Sequence, residues 1–215
     1  MARITALRIS PGRRKRVKIS LDDRPGFSLE AEVVVQEGLR TGQELSQGQI
    51  EALKRQGQFQ RCLNAAGHYL SYRPRSESEL RQRLIRRGFD ADDVATVLAK
   101  LKGQGLVDDT AFAQFWKDNR QQFSPRSQWL TRRELRQKGV SDDIIDQVLS
   151  TLDDGDSAYQ AARARAGRLS LSDKQEFGRR LGGYLKRRGF GYGVIRQVVD
   201  RIWQEMGRDK NSDLP

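Results

Sequence analysis

Cys62 and His68 are the only cysteine and the only histidine in the chain, so they are the one pair that could act as nucleophile and base. They stand six residues apart in a segment of helical pattern. Six residues turn a helix by about 600°, which aims the two side chains in different directions. A Cys–His dyad is therefore not expected. Paired carboxylates at Asp22-Asp23, Asp92-Asp93, Asp108-Asp109, Asp142-Asp143 and Asp153-Asp154 could in principle hold metal ions for hydrolysis. Each pair falls at a turn or a helix start, where capping and the helix dipole account for it. There is no GxxxxGK[ST] phosphate loop, no GxGxxG turn after a strand, and no Cys/His cluster at metal-ligand spacing. The sequence reads as a protein with no reaction, cofactor or metal centre of its own.

Its chemistry lies in charge. Lys and Arg number 40 against 28 Asp and Glu, a formal net charge of +12. A surplus of that size attracts polyanions, because each phosphate neutralised releases condensed counterions. The excess is mostly arginine, whose planar fork suits phosphate and carboxylate. It is concentrated before three glycines: Arg81, Arg83, Arg86 and Arg87 before Gly88; Arg132, Arg133, Arg136 and Lys138 before Gly139; Lys186, Arg187 and Arg188 before Gly189. A further basic tip is Arg13-Arg14-Lys15-Arg16. At roughly 100° per residue, Leu80 and Leu84 share a helix face from which Arg83 and Arg86 point away. Arg133 and Arg187 point outward from Leu135 and Leu185 in the same way. Most charge runs are simply solvated, but here the sign is nearly uniform and repeats in phase, which favours contact with DNA phosphates or an acidic protein groove. Most aromatics, Tyr69, Phe112, Phe115, Trp116 and Tyr159 among them, read as core, whereas Tyr72, Trp129 and Tyr192 read as exposed.

The elements that carry these charges repeat. The three glycines lie 51 and then 50 residues apart. Four residues before each stands Leu84, Leu135 or Leu185; six after stands Val94, Ile145 or Ile195; nine after stands Val97, Val148 or Val198. Pro74-Arg75-Ser76 and Pro125-Arg126-Ser127 share one offset from their glycines. Agreement at so many offsets means three copies of one unit. In each, an amphipathic helix (about 60–71, 109–122 and 157–168) leads into a basic helix ending at the glycine, which closes it in the left-handed conformation. Asp90 or Ser141 then caps a third helix, and Gly191-Tyr192-Gly193 is a weaker, neutral start in the third copy. Gly182-Gly183, inside a helical repeat, reads as a site of close helix packing.

Before the repeats, Ile4, Leu7 and Ile9, then Val17, Ile19 and Leu21, suggest two short strands. Asp22-Asp23-Arg24-Pro25-Gly26 reads as a turn, residues 30–37 as a short helix, and Ser46 as the N-cap of a helix over 47–56. The expected class is mainly α: three tandem three-helix repeats in an elongated curved array, preceded by a small α+β segment. The expected divisions are 1–56, 57–106, 107–154, 155–206 and a disordered tail at 207–215. A single cysteine excludes an internal disulfide. No signal-peptide core and no apolar run near the roughly 20 residues of a membrane span is present. The expectation is a cytoplasmic monomer with no membrane association.

The segment from Tyr69 through Tyr72-Arg73-Pro74-Arg75-Ser76-Glu77-Ser78-Glu79-Leu80 to Gly88 resembles the RecX family. So do Gly105-Leu106-Val107-Asp108-Asp109 with Ala111-Phe112-Ala113, and Glu134-Leu135-Arg136-Gln137-Lys138-Gly139-Val140. Leu39-Arg40-Thr41-Gly42-Gln43-Glu44-Leu45 fits that family's opening segment. The likeness is densest over residues 65–150. It departs at Asp22–Gly26, where a shorter turn is typical, and at the neutral start of the last helix. The resemblance implies three tandem three-helix repeats and a non-enzymatic regulator of DNA repair, recombination and the SOS response. Such a regulator binds the RecA protein and the RecA nucleoprotein filament and lowers filament growth, ATP hydrolysis, strand exchange and coprotease activity. Weak, salt-dependent DNA contact is expected beside it. The alternative is a stand-alone DNA-binding helical protein that acts through phosphate contacts.

Overall fold

The structure is a computed structural model that describes residues 1–10, 16–169 and 173–212. Its described residues form four strands and ten helices, and the chain divides into two units, 1–107 and 108–215.

Unit 1 begins with β1 (Ala2–Ser10), β2 (Arg16–Leu21) and β3 (Arg24–Glu30). After α1 (Ala31–Gln36) comes the two-residue β4 (Glu44–Leu45), and the antiparallel sheet runs in the order β3-β2-β1-β4. β3 occupies residues that by sequence alone read as a turn through Pro25-Gly26. The turn is confined to Asp22 and Asp23, at φ +50° and +59°, values that aspartate tolerates better than most residues. Asp22 Oδ1 accepts from the Arg3 amide at 2.9 Å and the Thr5 hydroxyl oxygen accepts from the Asp23 amide at 3.1 Å. These bonds fix the tight reversal, and the chain re-enters the sheet at once. Pro25, lacking an amide hydrogen, is tolerated because β3 is an edge strand.

Ser46 starts α2 with a reciprocal capping box to Gln49, and α2 runs from Gln47 to Leu70 without a break. By sequence alone this stretch reads as two helices, 47–56 and about 60–71. The structure carries the helix through because Gly57 is where β3 touches it. A Cβ at Gly57 would stand 2.5 Å from Leu29 Cδ2, so a residue poor for helix propensity is required by packing. Consequently α2 serves two cores. Ile50 and Leu53 pack with Ile4, Ile19, Leu29 and Val33, while Cys62, Ala65 and Ala66 pack with Leu80, Leu84, Val94 and Leu98. The second core is completed by α3 (Glu77–Arg86) and α4 (Ala91–Gly103).

Unit 2 holds the other two repeats: α5 (Asp109–Phe123), α6 (Gln128–Gln137) and α7 (Asp142–Leu149), then α8 (Asp154–Ala166), α9 (Lys174–Arg187) and α10 (Tyr192–Ser212). Phe112, Leu135, Ile145 and Leu149 centre one core, and Ala162, Phe177, Leu181 and Leu185 the other. Gly88, Gly139 and Gly189 take φ of +88°, +76° and +86° at the ends of α3, α6 and α9, the left-handed closure expected of them. Gly182 lies against α10, where a Cβ would meet Ile195 at 3.4 Å. α10 also carries helical backbone through residues 207–212, where the sequence reads as a tail. Residues 213–215 lie outside the described part. Among the described residues no helix is long and apolar enough to cross a membrane.

Candidate polyanion-binding face

The basic helices of the first two repeats are entered through the same Pro-Arg-Ser turn. Ser76 and Ser127 are fully buried and accept from the amides of Glu79 and Leu130. The arginine of each turn is drawn onto a glutamate, Arg75 buried and Arg126 half-buried. Arg75 donates to the Tyr69 carbonyl at 3.1 Å and to Glu79 Oε1 at 3.0 Å, and Arg73 reaches the same oxygen. Arg126 pairs with Glu134, which also accepts from Trp116 Nε1 at 2.8 Å and from Arg120 Nε at 2.7 Å. Burial lowers the pKa of Arg75, Arg120 and Arg126; neighbouring guanidiniums add to the effect at Arg75 (Arg73 and Arg83) and at Arg126 (Arg120 and Arg188). These arginines therefore build the turns.

The residue just before each repeated glycine is a helix-terminal cation set over an aromatic ring. Arg87 lies 6.0 Å from the centre of Tyr69, Lys138 5.3 Å from Trp116 and Arg188 3.9 Å from Tyr184. Each cation also complements the negative end of its helix dipole. Tyr69 and Trp116, read as core from sequence, are half-buried with cations over their faces: Arg83 also covers Tyr69 at 5.5 Å, and Arg120 covers Trp116 at 4.5 Å. For Tyr184 and Arg188 a four-residue spacing carries the signal. For the other two pairs the partners come from different helices, and no local spacing could announce them.

The eleven candidate cations consequently separate. Arg81 is paired with Glu77, whose other oxygen takes Lys102, and both cations hold the Glu77 carboxyl below its ordinary range. Arg132 pairs with Asp146, and Arg136 with Asp142 at 2.6 Å. Arg83 stands 3.9 Å from Glu79. Arg86, Arg133, Lys186 and Arg187 are exposed and in no ion pair among the described residues; Arg133 lies 5.9 Å from the ring of exposed Trp129. The positive sign is thus less uniform than the sequence suggests, because the following helix supplies Asp142 and Asp146. Arg13, Arg14 and Lys15 lie outside the described residues, while Arg16 sits in β2, 3.9 Å from buried Glu30. Tyr72, Trp129 and Tyr192 are 70%, 59% and 79% exposed.

Cys62 is buried and His68 exposed, the latter edge-on to Tyr72. Burial, reinforced by Asp93, pushes the Cys62 thiol up to about 11. Asp108 and Asp153 cap α5 and α8, and the described residues contain no group of three or more potential metal ligands.

Family models for the RecX first, second and third three-helix domains match in order at residues 62–101, 108–149 and 153–199. The regulatory protein RecX of Amycolatopsis mediterranei is 36% identical over 143 residues, covering 65% of this chain and 82% of that one. The chain belongs to the RecX family. The RecX of Bacillus subtilis is 29% identical over 214 residues, covering 98% of this chain and 81% of its own. A crystal structure of a regulatory protein RecX matches with a TM-score of 0.66 at 26% identity, over 93% of this chain and all of that one. These RecX relatives are named as regulatory proteins, not as enzymes. The first RecX domain starts at residue 62, inside α2 rather than at its beginning.

Proposed function

We infer that this protein binds RecA and RecA–DNA filaments, and that it lowers filament growth, ATP hydrolysis, strand exchange and coprotease activity without chemistry of its own. Membership of the RecX family supports the regulatory role. The single structural observation that supports a filament as the target is the set of unpaired outward cations, Arg86 on α3, Arg133 on α6 and Arg187 on α9, one on the basic helix of every repeat. A filament offers the same acidic or phosphate feature many times over. Several weak contacts made from one chain add up against such an assembly and stay weak against a single RecA protomer. Direct DNA contact accompanies this binding and falls with salt. The working form is a cytoplasmic monomer.

The test is RecA ATP hydrolysis on single-stranded DNA, titrated with this protein far below the RecA concentration. A marked fall is expected at substoichiometric amounts. Inhibition only once there is enough protein to cover the DNA lattice would make it a simple DNA-binding competitor.

A further inference from the structure

A second basic feature lies on unit 1, and it takes in Arg87, the chain neighbour of outward Arg86. The seam between the β2–β3 hairpin and α2 is open as two adjoining clefts that share Arg16 and Arg61. One is lined by Phe27, Ser28, Lys54, Gly57 and Gln58 as well; the other continues along Glu30 and Ala65 to Arg87 and Phe89 at the end of α3. Four cations, Lys54, Arg16, Arg61 and Arg87, therefore line one seam against a single carboxylate. That carboxylate, Glu30, is buried and 3.9 Å from Arg16.

The other three cations make contacts with neutral groups. Lys54 Nζ lies 5.9 Å from the Phe27 ring, Arg61 donates to Gln58 Oε1 at 3.2 Å, and Arg87 Nη1 is 3.5 Å from the Tyr69 hydroxyl. None of the three joins an ion pair among the described residues. The Nε of Arg16 is buried and makes no hydrogen bond, with Glu30 Oε1 as its ion-pair partner at 3.9 Å. In sequence, Arg13-Arg14-Lys15 immediately precedes Arg16. Each cleft is smaller than the roughly 300–1,000 Å³ of an ordinary small-molecule pocket, and both are open. The lining offers a row of positive charges with no enclosed apolar chamber.

We propose that this seam is a binding site for the phosphodiester backbone of a nucleic-acid strand. A strand carries one charge per nucleotide and so matches cations set in file, whereas an isolated anion would use only one or two of them. Arg61 and Arg87 take phosphate oxygens, Arg16 adds its charge at the junction of the two clefts, and Lys54 extends the row along α2. No base edge needs to be read, so binding is independent of sequence.

The experiment uses the full chain with RecA absent. A labelled single-stranded oligonucleotide is titrated by fluorescence anisotropy at several salt concentrations. The variant Lys54→Gln/Arg61→Gln/Arg87→Gln is expected to bind at least about tenfold more weakly at low salt. Its slope of log affinity against log salt should fall by about 2, at roughly 0.7 for each phosphate that the variant no longer neutralises. A charge-preserving variant, Lys54→Arg/Arg61→Lys/Arg87→Lys, should retain most of the binding. So should Arg86→Gln/Arg133→Gln/Arg187→Gln, which leaves the seam untouched. Wild-type affinity and slope in the neutral seam variant would overturn the proposal. So would equal impairment in the charge-preserving variant, or an oligonucleotide that fails to bind the wild type. Because RecA is absent, failure here is separate from failure of the filament reading above.

Discussion

Gly189 sits so close to Ser127 that a Cβ placed on it would stand 2.5 Å from the Ser127 hydroxyl oxygen and 2.9 Å from Leu130 Cβ. The glycine corner of the third repeat thus rests on the N-cap of α6 in the second, and the Ser127 amide donates to the Arg188 carbonyl at 3.0 Å. Gly88 has the same backbone conformation but nothing within 4 Å of its Cβ position. Two alanine substitutions therefore separate strain from collision. Gly88→Ala should cost about 1 kcal/mol, the penalty of a left-handed residue with a side chain. Gly189→Ala should cost about 2–4 kcal/mol, because it adds overpacking against a buried cap. Urea unfolding of the two variants measures the difference, and equal losses would mean the contact is soft.

Glu134 holds two arginines and the Trp116 indole with a side chain only 12% exposed. Glu134→Ala should destabilise by about 3 kcal/mol, since removing one member of a buried network strands the others. Disrupting the surface pair Arg136–Asp142 with Asp142→Asn should shift the unfolding midpoint by no more than the error of measurement. Comparison of the two midpoints checks both statements.

The thiol of Cys62, raised to about 11 by burial, should resist a disulfide reagent at pH 8 in the native protein and react once guanidinium unfolds it. The linkage has a definite sign. The folded state disfavours the thiolate, so this contribution to stability is fully present below the unfolded pKa near 9 and is lost as pH rises through 11. Denaturation midpoints of the wild type and Cys62→Ala, compared from pH 7 to 11, should converge at the alkaline end.

Charge reversal should distinguish the two classes of basic side chain. Arg86→Glu/Arg133→Glu/Arg187→Glu removes the unpaired outward cations and should weaken filament inhibition at moderate salt by about tenfold or more. Arg81→Glu/Arg132→Glu/Arg136→Glu touches cations already paired with Glu77, Asp146 and Asp142. Its loss of inhibition should be smaller and its loss of stability larger. The readout is the concentration that halves RecA ATP hydrolysis, alongside a urea midpoint for each variant.

The repeat was legible because its signals are local: a leucine, a glycine and two β-branched residues at fixed offsets mark the end of one helix and the face of the next. The sheet was only half legible. Pro25 and Gly26 are turn residues by local rule, and only the pairing of Ile19 with Phe27 and Val17 with Leu29 shows that they belong to a strand. The acidic hubs were hidden by the repeat itself. Glu79 occupies the position of Leu130, and Glu134 that of Arg83, so aligning the copies sets each glutamate against a different residue type. The two hubs each hold the arginine of a Pro-Arg-Ser turn, yet they stand at different positions of the repeat. Which arginines remain free was likewise decided by Asp142 and Asp146 on the next helix, at a distance set by folding rather than by spacing.

The uninterrupted course of α2 limits how this chain can be cut and recombined. Units that stack through short loops can be exchanged at those loops, but the first repeat has no loop on its amino-terminal side. Its first helix is the carboxyl half of a rod whose amino half closes the core under the sheet. A break near Gly57 would leave two helices of about three to four turns, each too short to stand alone in water. The second and third repeats, joined through Ser127 and Gly189, travel together as one unit, whereas the first travels only with its sheet.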